Sequence, residues 1–510
     1  MVCVELCFVC VFILLQTRRS LSQRDERAIL ELGFSPAKTP PSWMLHTSKV
    51  RHTKALTEHT GVNANITSLS SKRIPAQLHR WQTAGEMEIV GERRLSAATV
   101  LGPTHAQISG RWASNIAMAR LTSSKAVLVY SDYEFYFQGR VVICEVASGS
   151  LVCGASSALT SVPIHTDAHS LAIDSIWTDQ VIFAWKEGVS PFVGHVQACM
   201  SDLSSCGPEL RVKVEWGSVE VLALAQRIIV FAYIDLQKGH RGSIVRCDVA
   251  NMNLNCDLAK VFEAKPISSL ALGAMTSDTL PYSSETADMV IAYQVSSQTE
   301  NFGCIQPCML ASDSSSLTCY STSSKKFTDA RTDGMSMTTF SADAFVIGYA
   351  DRGVYCPPTN RQSRRRALQV CTVADGHPSI GRLKLCRATF RGLGISNPLL
   401  ECSESGIIDD GYATGVPHVI KRDGTPTLGQ SWNLLAIYSC TGCDDLGALG
   451  WARSCVAGPM SAQGFAIAPP GCFNRLEVNN DTMQWPKIVA IDGGYLAAYN
   501  NYGGSQYLTV

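Results

Sequence analysis

The sequence has no excess of either charge and contains few charged residues for its length. The 510-residue chain has 43 Lys and Arg and 43 Asp and Glu, which gives a formal net charge of zero. Charged residues make up 17% of the chain, whereas about a quarter is usual in globular proteins. This balance offers no broad positive field for a polyanion, so we expect no nucleic-acid partner.

Long apolar runs are missing everywhere except at the start. The chain begins MVCVELCFVCVFIL and soon reaches the basic pair Arg18-Arg19. An apolar stretch of this length predicts that residues 1–20 are a secretory signal peptide, with an uncleaved N-terminal anchor as the alternative. No later stretch approaches the roughly 18 apolar residues of a membrane span, so we expect no span in the remaining chain.

The motifs of common enzyme classes are missing as well. The sequence contains no GxSxG, HExxH, Walker loop, EF-hand loop, or GxGxxG following a strand. After residue 86, no helical periodicity of comparable length interrupts the strand-like patterns. Function therefore has to be inferred from the repeats that are present. We expect no cofactor beyond the divalent cation considered below.

What the sequence does contain is a short apolar phrase that occurs seven times and ends in an aromatic residue. The copies are VLVYSD, IFAWKE, VFAYID, VIAYQV, VIGYAD, LAIYSC and LAAYNN. Their aromatic residues, which we call the signature aromatics, are Tyr130, Trp185, Tyr233, Tyr293, Tyr349, Tyr438 and Tyr499. They recur at intervals of 48 to 61 residues, with one interval of 89. Such a period is typical of one supersecondary unit repeated along the chain.

Each repeat divides into four strand-like segments, and six repeats carry a cysteine in the third and the fourth. Facing residues of an antiparallel pair lie about 4.5–5.5 Å apart at Cα, which is within the span of a disulfide. We therefore predict one disulfide between the two outer strands of each of these repeats. The pairs are Cys144–Cys153, Cys199–Cys206, Cys247–Cys256, Cys308–Cys319, Cys371–Cys386 and Cys455–Cys472.

Five further cysteines have no assigned partner: Cys304, Cys356, Cys402, Cys440 and Cys443. The CxxC of Cys440 and Cys443 is followed by no second CxxC or His pair at zinc spacing. A local disulfide, or pairing with one of the other three, is favoured over a redox site.

The seventh repeat ends after three segments, the last of them Gln506–Val510. Its missing fourth segment is predicted to be Glu86–Leu95, which resembles the fourth segments of the first two repeats. Leu508 and Val90 are expected where the other repeats have their paired cysteines. Pairing between the two ends of the chain would leave the repeats without a free sheet edge.

These repeats resemble the β-propeller architecture, in particular secreted propellers of the lectin and sialidase type. The resemblance covers residues 86–510 and implies an all-β fold. The expected fold is a seven-bladed β-propeller of four-stranded antiparallel blades, closed by an N-terminal strand that pairs with the C-terminal blade. The sialidase SxDxGxTW box and the WD and kelch motifs are missing. No family's active site is therefore carried over.

Residues 21–85 differ from the repeats, because they are rich in Lys, Arg, Ser, Thr and His. We predict a basic, largely disordered linker in which Gln23–Leu32 is the one candidate helix. The paired cysteines predict an oxidising location, either secreted or at the extracellular surface, with the N-terminal anchor as one route to that surface. Asn65 and Asn480 begin glycosylation sequons that are compatible with this route.

The residues just beyond the signature aromatics are the first candidates for a functional site. Four of them are acidic: Asp132, Glu187, Asp235 and Asp351. In a closed ring they would lie at equivalent positions near one face, where carboxylates bind a cation or polarise a sugar. Capping of the turns that follow the strands is the simpler interpretation.

Two loops supply further candidates. Tyr133, Phe135 and Tyr136 lie in a run with four aromatic residues out of five. They are expected either to contact a sugar or a partner, or to pack over a neighbouring blade. His165, Asp167 and His169 place three potential metal ligands within five residues. In an extended loop all three could face one divalent cation, but ordinary turn hydrogen bonding is the favoured interpretation of this string.

Taken together, these features predict an extracellular module that binds a glycan or a protein through one face of the ring. One alternative is a glycan-active hydrolase or lyase that uses carboxylates from several blades around the central channel. A hydrolase of this kind needs two carboxyl groups about 5–10 Å apart. A structural coat or matrix protein is the second alternative.

Overall fold

The computed structural model describes residues from Gln107 to Val510 with several gaps. The described ranges are 107–147, 150–166, 169–177, 179–275, 288–297, 301–311, 313–352, 380–390, 397–408, 413–414, 416–421, 431–444, 447–458, 469–479, 483–491, 494–501 and 507–510. They lie within a compact unit formed by Arg93–Val510. The predicted signal peptide, the linker and its helix, Asn65, Asp167, Cys356, Cys371 and Asn480 lie outside the described residues.

The described part is all-β, and every named strand pairing is antiparallel. Its only helices are two single 3₁₀ turns, Tyr133–Phe135 and Ser321–Ser323. Neither has the length or the apolar character needed to cross a membrane.

The strands are arranged in four sheets. In chain order they are β1 Gln107–Arg120, β2 Lys125–Asp132, β3 Gln138–Ala147, β4 Ser150–Cys153, β5 Ser157–Pro163, β6 Leu171–Trp177, β7 Gln180–Lys186, β8 Val193–Met200, β9 Leu210–Ala225, β10 Ile228–Asp235, β11 Arg241–Ala250, β12 Asn253–Cys256, β13 Lys260–Met275, β14 Asp288–Ser296, β15 Asn301–Leu310, β16 Leu317–Cys319, β17 Lys325–Thr328, β18 Thr332–Thr339, β19 Ala344–Asp351, β20 Ile380–Thr389, β21 Leu399–Cys402, β22 Gly406–Ile407, β23 Ala413–Thr414, β24 His418–Lys421, β25 Trp432–Asp444, β26 Gly447–Ala457, β27 Gly471–Asn479, β28 Met483–Ile491, β29 Gly494–Asn501 and β30 Tyr507–Thr509.

The seven signature phrases form the second strands of the repeats, which are β2, β7, β10, β14, β19, β25 and β29. Each pairs with the strand before it and the strand after it. All eight residues of β10 and of β19 are buried. A continuous apolar run fits such a position because both faces of the strand are covered. The signature aromatics are at most 2% exposed.

Some first strands also complete the repeat before them. The early part of β9 pairs with β8 and its later part pairs with β10. The two parts of β13 pair with β11 and β14 in the same way. The strand β1 follows this pattern too, because Gln107 and Trp112 face β30 whereas Ala113–Arg120 face β2.

The strand β30 pairs with β29 on one edge and with the start of β1 on the other. The predicted partner segment, Glu86–Leu95, lies outside the described residues. The register places Thr509 opposite Tyr499. In the other six repeats, the residue opposite the signature aromatic stands four residues before the cysteine of the third strand. Leu508 precedes Thr509, so it does not take the place of a paired cysteine.

The first strands of successive repeats also contact each other. These strands are β1, β6, β9, β13, β18, β24 and β28. The contacts are β1 with β6, β6 with β9, β9 with β13, β13 with β18, β18 with β24, β24 with β28, and β28 with β1.

Six disulfides join third strands to the segments that follow them. They are Cys144–Cys153, Cys199–Cys206, Cys247–Cys256, Cys308–Cys319, Cys386–Cys402 and Cys455–Cys472. Five of them are the pairs that the spacing predicts. The predicted Cys371–Cys386 bond is wrong, because Cys386 lies on the third strand β20 and faces Cys402 on β21. Cys304 is a buried free thiol.

A glycine five residues before the third-strand cysteine marks these strands. The pairs are Gly139 and Cys144, Gly194 and Cys199, Gly242 and Cys247, Gly303 and Cys308, Gly381 and Cys386, and Gly450 and Cys455. At three of these glycines an added Cβ would meet an aromatic ring closer than 3 Å: Trp216 at Gly194, Phe262 at Gly242 and Phe327 at Gly303. The missing side chain leaves room for the ring that covers the sheet at this point.

We predict that Gly194→Ala destabilises the protein, because the new Cβ would lie 1.9 Å from Cε2 of Trp216. Overpacking of this kind reduces the free energy of unfolding by about 1–3 kcal/mol. Gly494→Ala is the control, since no heavy atom lies within 4 Å of its added Cβ. Urea-unfolding midpoints of the two variants measure the difference. Equal midpoints would contradict the packing described here.

Candidate functional site

The four predicted carboxylates lie at the ends of second strands or directly after them. Asp132, Asp235 and Asp351 are at most 8% exposed, and the side chain of Glu187 is 12% exposed. They therefore do not point into solvent.

Each of these carboxylates has a partner within its own repeat. Asp132 Oδ1 accepts a hydrogen bond from the amide of Glu134 at 3.0 Å and so caps the first 3₁₀ turn. Asp235 accepts from the amide of Lys238 at 3.1 Å and pairs with its ammonium at 3.3 Å. Such local bonds are those of residues that end strands and fix turns.

The other two carboxylates form ion pairs across their sheets. Asp351 lies 2.5 Å from Nε of Arg382. Glu187 lies 3.6 Å from both His195 and Arg211, and His195 also contacts Glu209 at 2.6 Å. Burial raises the pKa of Asp132 above its usual value. These partners favour a structural role for all four.

The predicted metal ligands have different surroundings. The ring of His165 packs edge-on against Phe192, with 4.9 Å between ring centroids, and its carbonyl accepts a hydrogen bond from Asn115. His169 lies next to β18, because a Cβ on Gly334 would be 3.3 Å from Nε2 of His169. The described residues contain no group of three or more metal-ligand side chains.

The aromatic loop after β2, which we define as Tyr133–Phe137, is exposed. Tyr133 is 48% exposed, Phe135 46% and Tyr136 85%. Exposed aromatic rings that are adjacent in a loop are typical of contact surfaces. This exposure favours the contact alternative for these three side chains over packing against a neighbouring sheet.

The backbone of the aromatic loop is held in one conformation. Asp132 caps its 3₁₀ turn, and the Phe137 amide donates to the Asp132 carbonyl at 2.8 Å. The Arg140 guanidinium lies 4.3 Å from the centre of the Phe135 ring. Tyr136 and Phe137 both have positive φ angles, 55° and 62°. Residues other than glycine rarely adopt positive φ angles, and backbone strain of this kind concentrates at functional sites.

A second group of residues, which includes three ionisable side chains, was not predicted from the sequence. In each repeat, one first-strand residue faces the residue just before the signature aromatic. We call these seven residues the inner-strand layer; they are Ala117, Ala172, Glu220, Ala271, Ser336, His418 and Lys487. The seven positions are equivalent within their repeats, and the first strands that carry them contact one another in order.

Four layer residues are small and three are ionisable. Ser336 donates to the Pro417 carbonyl at 2.7 Å and accepts from the Val419 amide at 3.2 Å, so its hydroxyl is already used. Glu220, His418 and Lys487 keep partial contact with solvent. Among the described residues, Nδ1 of His418 is buried without a hydrogen-bond partner.

The ionisable layer residues affect one another electrostatically. Burial raises the pKa of Glu220 to about 7, the Lys487 charge opposes that shift, and Asp174 adds to it. Burial, together with the Lys487 charge, lowers the pKa of His418 to about 3 and that of His169 to about 4. Burial also raises the pKa of Asp174 to about 6, and both its oxygens accept backbone hydrogen bonds at 2.8 Å. Lys487 thus lies within electrostatic range of residues from several repeats.

The sequence did contain a signal for this layer. Glu220 and Lys487 are single ionisable residues in otherwise largely apolar stretches, SVEVLALA and KIVAI, and His418 opens the short strand HVIK. A single charged residue in a short strand produces no repeating pattern that would mark it in the sequence. Only alignment on the signature aromatic shows that the three positions are equivalent.

No family model matches the chain, and no curated protein matches its sequence. Solved structures similar to it include two β-propeller domains. That of Cps50 (Swd1) from Myceliophteria thermophila is 9% identical at a TM-score of 0.41, and the match covers 78% of this chain and 98% of that one. That of the Trilobed protease from Pyrococcus furiosus is 9% identical at a TM-score of 0.37, covering 79% and 95%.

A subtype N11 neuraminidase-like protein from a flat-faced bat is also similar, with 8% identity and a TM-score of 0.34 over 68% of this chain and 88% of that one. At this level of similarity, the three structures assign neither a ligand nor an activity to this chain.

We predict that Glu220→Gln changes how stability depends on pH. The folded-state pKa of Glu220 is about 7, above the value near 4.3 of an unfolded chain. The folded state therefore retains a proton that the unfolded state releases, and stability falls as the pH rises through this window. Glu220→Gln lacks this titration. The free energy of unfolding of the variant, minus that of the unchanged protein, should therefore increase from pH 4 to pH 8.

Urea unfolding at pH 4, 6 and 8 measures this dependence. Glu477→Gln, at an exposed carboxylate, is the matched control. A stability difference between Glu220→Gln and the unchanged protein that stays constant with pH would show that Glu220 is not held in the folded protein as described.

Proposed function

We propose that this protein is a secreted or cell-surface binding module that recognises a glycan through the aromatic loop at one face of a seven-bladed β-propeller. The single observation that carries the proposal is the aromatic loop, in which a fixed backbone presents three exposed rings. A fixed backbone lowers the conformational entropy that is lost on binding.

The seven-bladed ring is supported by contacts between the repeats. The seven first strands contact one another in sequence, and β28 contacts β1. The strand β1 completes the last repeat through β30, just as β9 and β13 complete the repeats before them. A contact between first strands at every junction favours closure over an open array.

An oxidising location is supported by the disulfides. Six of them join neighbouring strands within the described part of the chain. Disulfides in this number are usual in secreted and cell-surface proteins and rare in the cytosol. We therefore place the protein outside the cell.

Binding is favoured over hydrolysis by the state of the candidate carboxylates. A glycoside hydrolase needs one carboxyl as acid and another as base or nucleophile on either side of the scissile bond. Here Asp132 and Asp235 fix turns, and Glu187 and Asp351 face cationic groups in their own repeats. A coat or matrix role alone would leave the exposed rings unexplained.

A glycan is favoured as the ligand by the chemistry of the loop. Tyr133 and Tyr136 each combine an apolar ring face with a hydroxyl, so they can pack on a sugar ring and hydrogen-bond its substituents. The Arg140 guanidinium lies beside them, stacked on Phe135 and bonded to the Ser156 carbonyl at 2.7 Å. A protein partner is the competing outcome of the test.

We predict that Tyr136→Asn lowers glycan affinity by about tenfold or more, because a residue at the centre of a contact surface typically contributes 1–2 kcal/mol or more. Asn tolerates the positive φ of this position, so the backbone is kept. Leu258→Ala, at a 90% exposed side chain elsewhere, is the control.

A glycan array followed by titration calorimetry gives the measurement, with circular dichroism to verify folding. Binding that is unchanged by Tyr136→Asn would contradict the proposed contact surface. Absence of any glycan binding, together with a protein partner that is lost in Tyr136→Asn, would reassign the ligand class.

A further inference from the structure

We infer that the contact surface of the aromatic loop continues onto the second repeat and takes an oligosaccharide along its length, rather than a single sugar unit. The added part is the loop that joins β7 to β8, residues 187–192, which we call the second-repeat loop. This inference rests on the proposed function, because it extends the same glycan site.

The two loops occupy the same place in consecutive repeats. Each joins the second strand of its repeat to the third, since the aromatic loop lies between β2 and β3 and the second-repeat loop between β7 and β8. The first strands of these repeats, β1 and β6, contact each other. The two loops therefore emerge at the same end of neighbouring repeats.

A single peptide group joins the two loops. The Ile164 amide donates to the Phe137 carbonyl of the aromatic loop at 2.8 Å. The carbonyl of the same peptide group, that of Pro163, accepts from the Gly188 amide of the second-repeat loop at 2.7 Å. Ile164 also forms an antiparallel bridge with Glu187. The loops are thus spaced like two strands on either side of a third, about 10 Å apart, which is longer than one sugar ring.

The segment that carries this peptide group is itself fixed. Ile164 is 1% exposed. The His165 amide donates to the Lys186 carbonyl at 2.9 Å, and the His165 carbonyl accepts from the side chain of Asn115. The spacing of the loops is therefore set before a ligand arrives, which reduces the entropy lost on binding.

The tip of the second-repeat loop is exposed and largely apolar. Val189 is 53% exposed, and Ser190 and Pro191 beside it are exposed as well. The apolar faces of Val189 and Pro191 suit the C–H face of a sugar ring. The Ser190 hydroxyl both donates and accepts hydrogen bonds, as the hydroxyls of a sugar require.

The charged residues at the start of this loop are buried or paired. Lys186 is 4% exposed, and its ammonium lies 5.0 Å from the centre of the Phe192 ring. The side chain of Glu187 is 12% exposed and lies 3.6 Å from the guanidinium of Arg211. The exposed tip carries no charge of its own, which favours a neutral sugar unit at this end of the surface.

The third repeat marks the end of the apolar surface. Its equivalent loop, residues 236–240 between β10 and β11, exposes the polar side chains of Gln237, Lys238 and His240. Lys238 forms an ion pair with Asp235 at 3.3 Å. A ligand that follows the apolar surface therefore contacts the first two repeats, and a short oligosaccharide is long enough to do so.

The experiment measures affinity against ligand length. The probes are neutral oligosaccharides of β1,4-linked glucose, N-acetylglucosamine, mannose or galactose, each with one to six units, and titration calorimetry on the full chain gives Kd. In a series that binds, affinity should rise by about tenfold or more between one unit and four, because the longer ligand contacts both loops. It should change little from four units to six.

Three variants test which loop supplies the gain. Val189→Asp should weaken binding of the four-unit ligand by about tenfold, because the new charge loses water when the ligand covers it. Val152→Asp is the matched control, since Val152 is 60% exposed and faces Glu145 at the far end of β3 from the aromatic loop; it should bind like the unchanged protein. Tyr136→Asn should weaken the ligands of every length.

The outcomes separate this inference from the proposed function. Affinity that does not rise with length, or a rise that Val189→Asp leaves intact, overturns the extended surface, while binding that Tyr136→Asn weakens keeps the glycan site at the aromatic loop. Absence of binding by all four series also overturns the extended surface. In that case the proposed function stands if another glycan on the array binds, and fails if none does.

Discussion

Burial of the second strand on both faces is the constraint on which the rest of this structure depends. A strand such as β10, with all eight residues buried, needs a neighbouring sheet on each side. The signature aromatics are large side chains in these strands, and none is more than 2% exposed. No repeat can satisfy this requirement alone, which is the physical basis of stacking in repeat proteins. The first and last repeats along the chain therefore need a neighbouring sheet on each side as much as the repeats between them do.

The same register that buries the signature aromatics also sets the inner-strand layer. A layer residue and the residue before the aromatic face each other across a strand pair, so one alignment fixes both. Four layer positions hold alanine or serine, which pack without difficulty against the next first strand. Glu220, His418 and Lys487 break this pattern.

Much of the fold could be predicted from the sequence because it depends on local patterns. The apolar phrase identifies the second strands, and a cysteine on each side of a turn identifies five of the disulfides. The prediction failed at Cys371 because ALQVCTV has the apolar pattern of a third strand, whereas the actual third strand is marked by Gly381, five residues before Cys386 as in the other repeats. The pairing of β1 with β30 was not predicted, since β1 is a first strand whose early part also completes the last repeat. Sequence pattern alone does not show that one strand serves two sheets.

The candidate site was less predictable. The sequence shows that four acidic residues follow the signature aromatics: Asp132, Glu187, Asp235 and Asp351. It does not show the hydrogen bonds and ion pairs that these residues form within their repeats. The exposure of Tyr136 depends on a backbone that places two successive residues at positive φ. Successive residues of the inner-strand layer are 48 to 82 positions apart in the chain, and no spacing rule connects them.

The proposed closure of the repeats depends on the pairing of β1 with β30. Gln107 and Thr509 are directly opposed in that pairing, so cysteines placed at both positions should form a disulfide in the folded protein. Peptide mapping without reduction detects it. The control combines the cysteine at Gln107 with one at Leu258, which is 90% exposed on another repeat. The account predicts a cross-link between positions 107 and 509 and none in the control. A folded double variant in which both new thiols remain free and react with an alkylating reagent would contradict it.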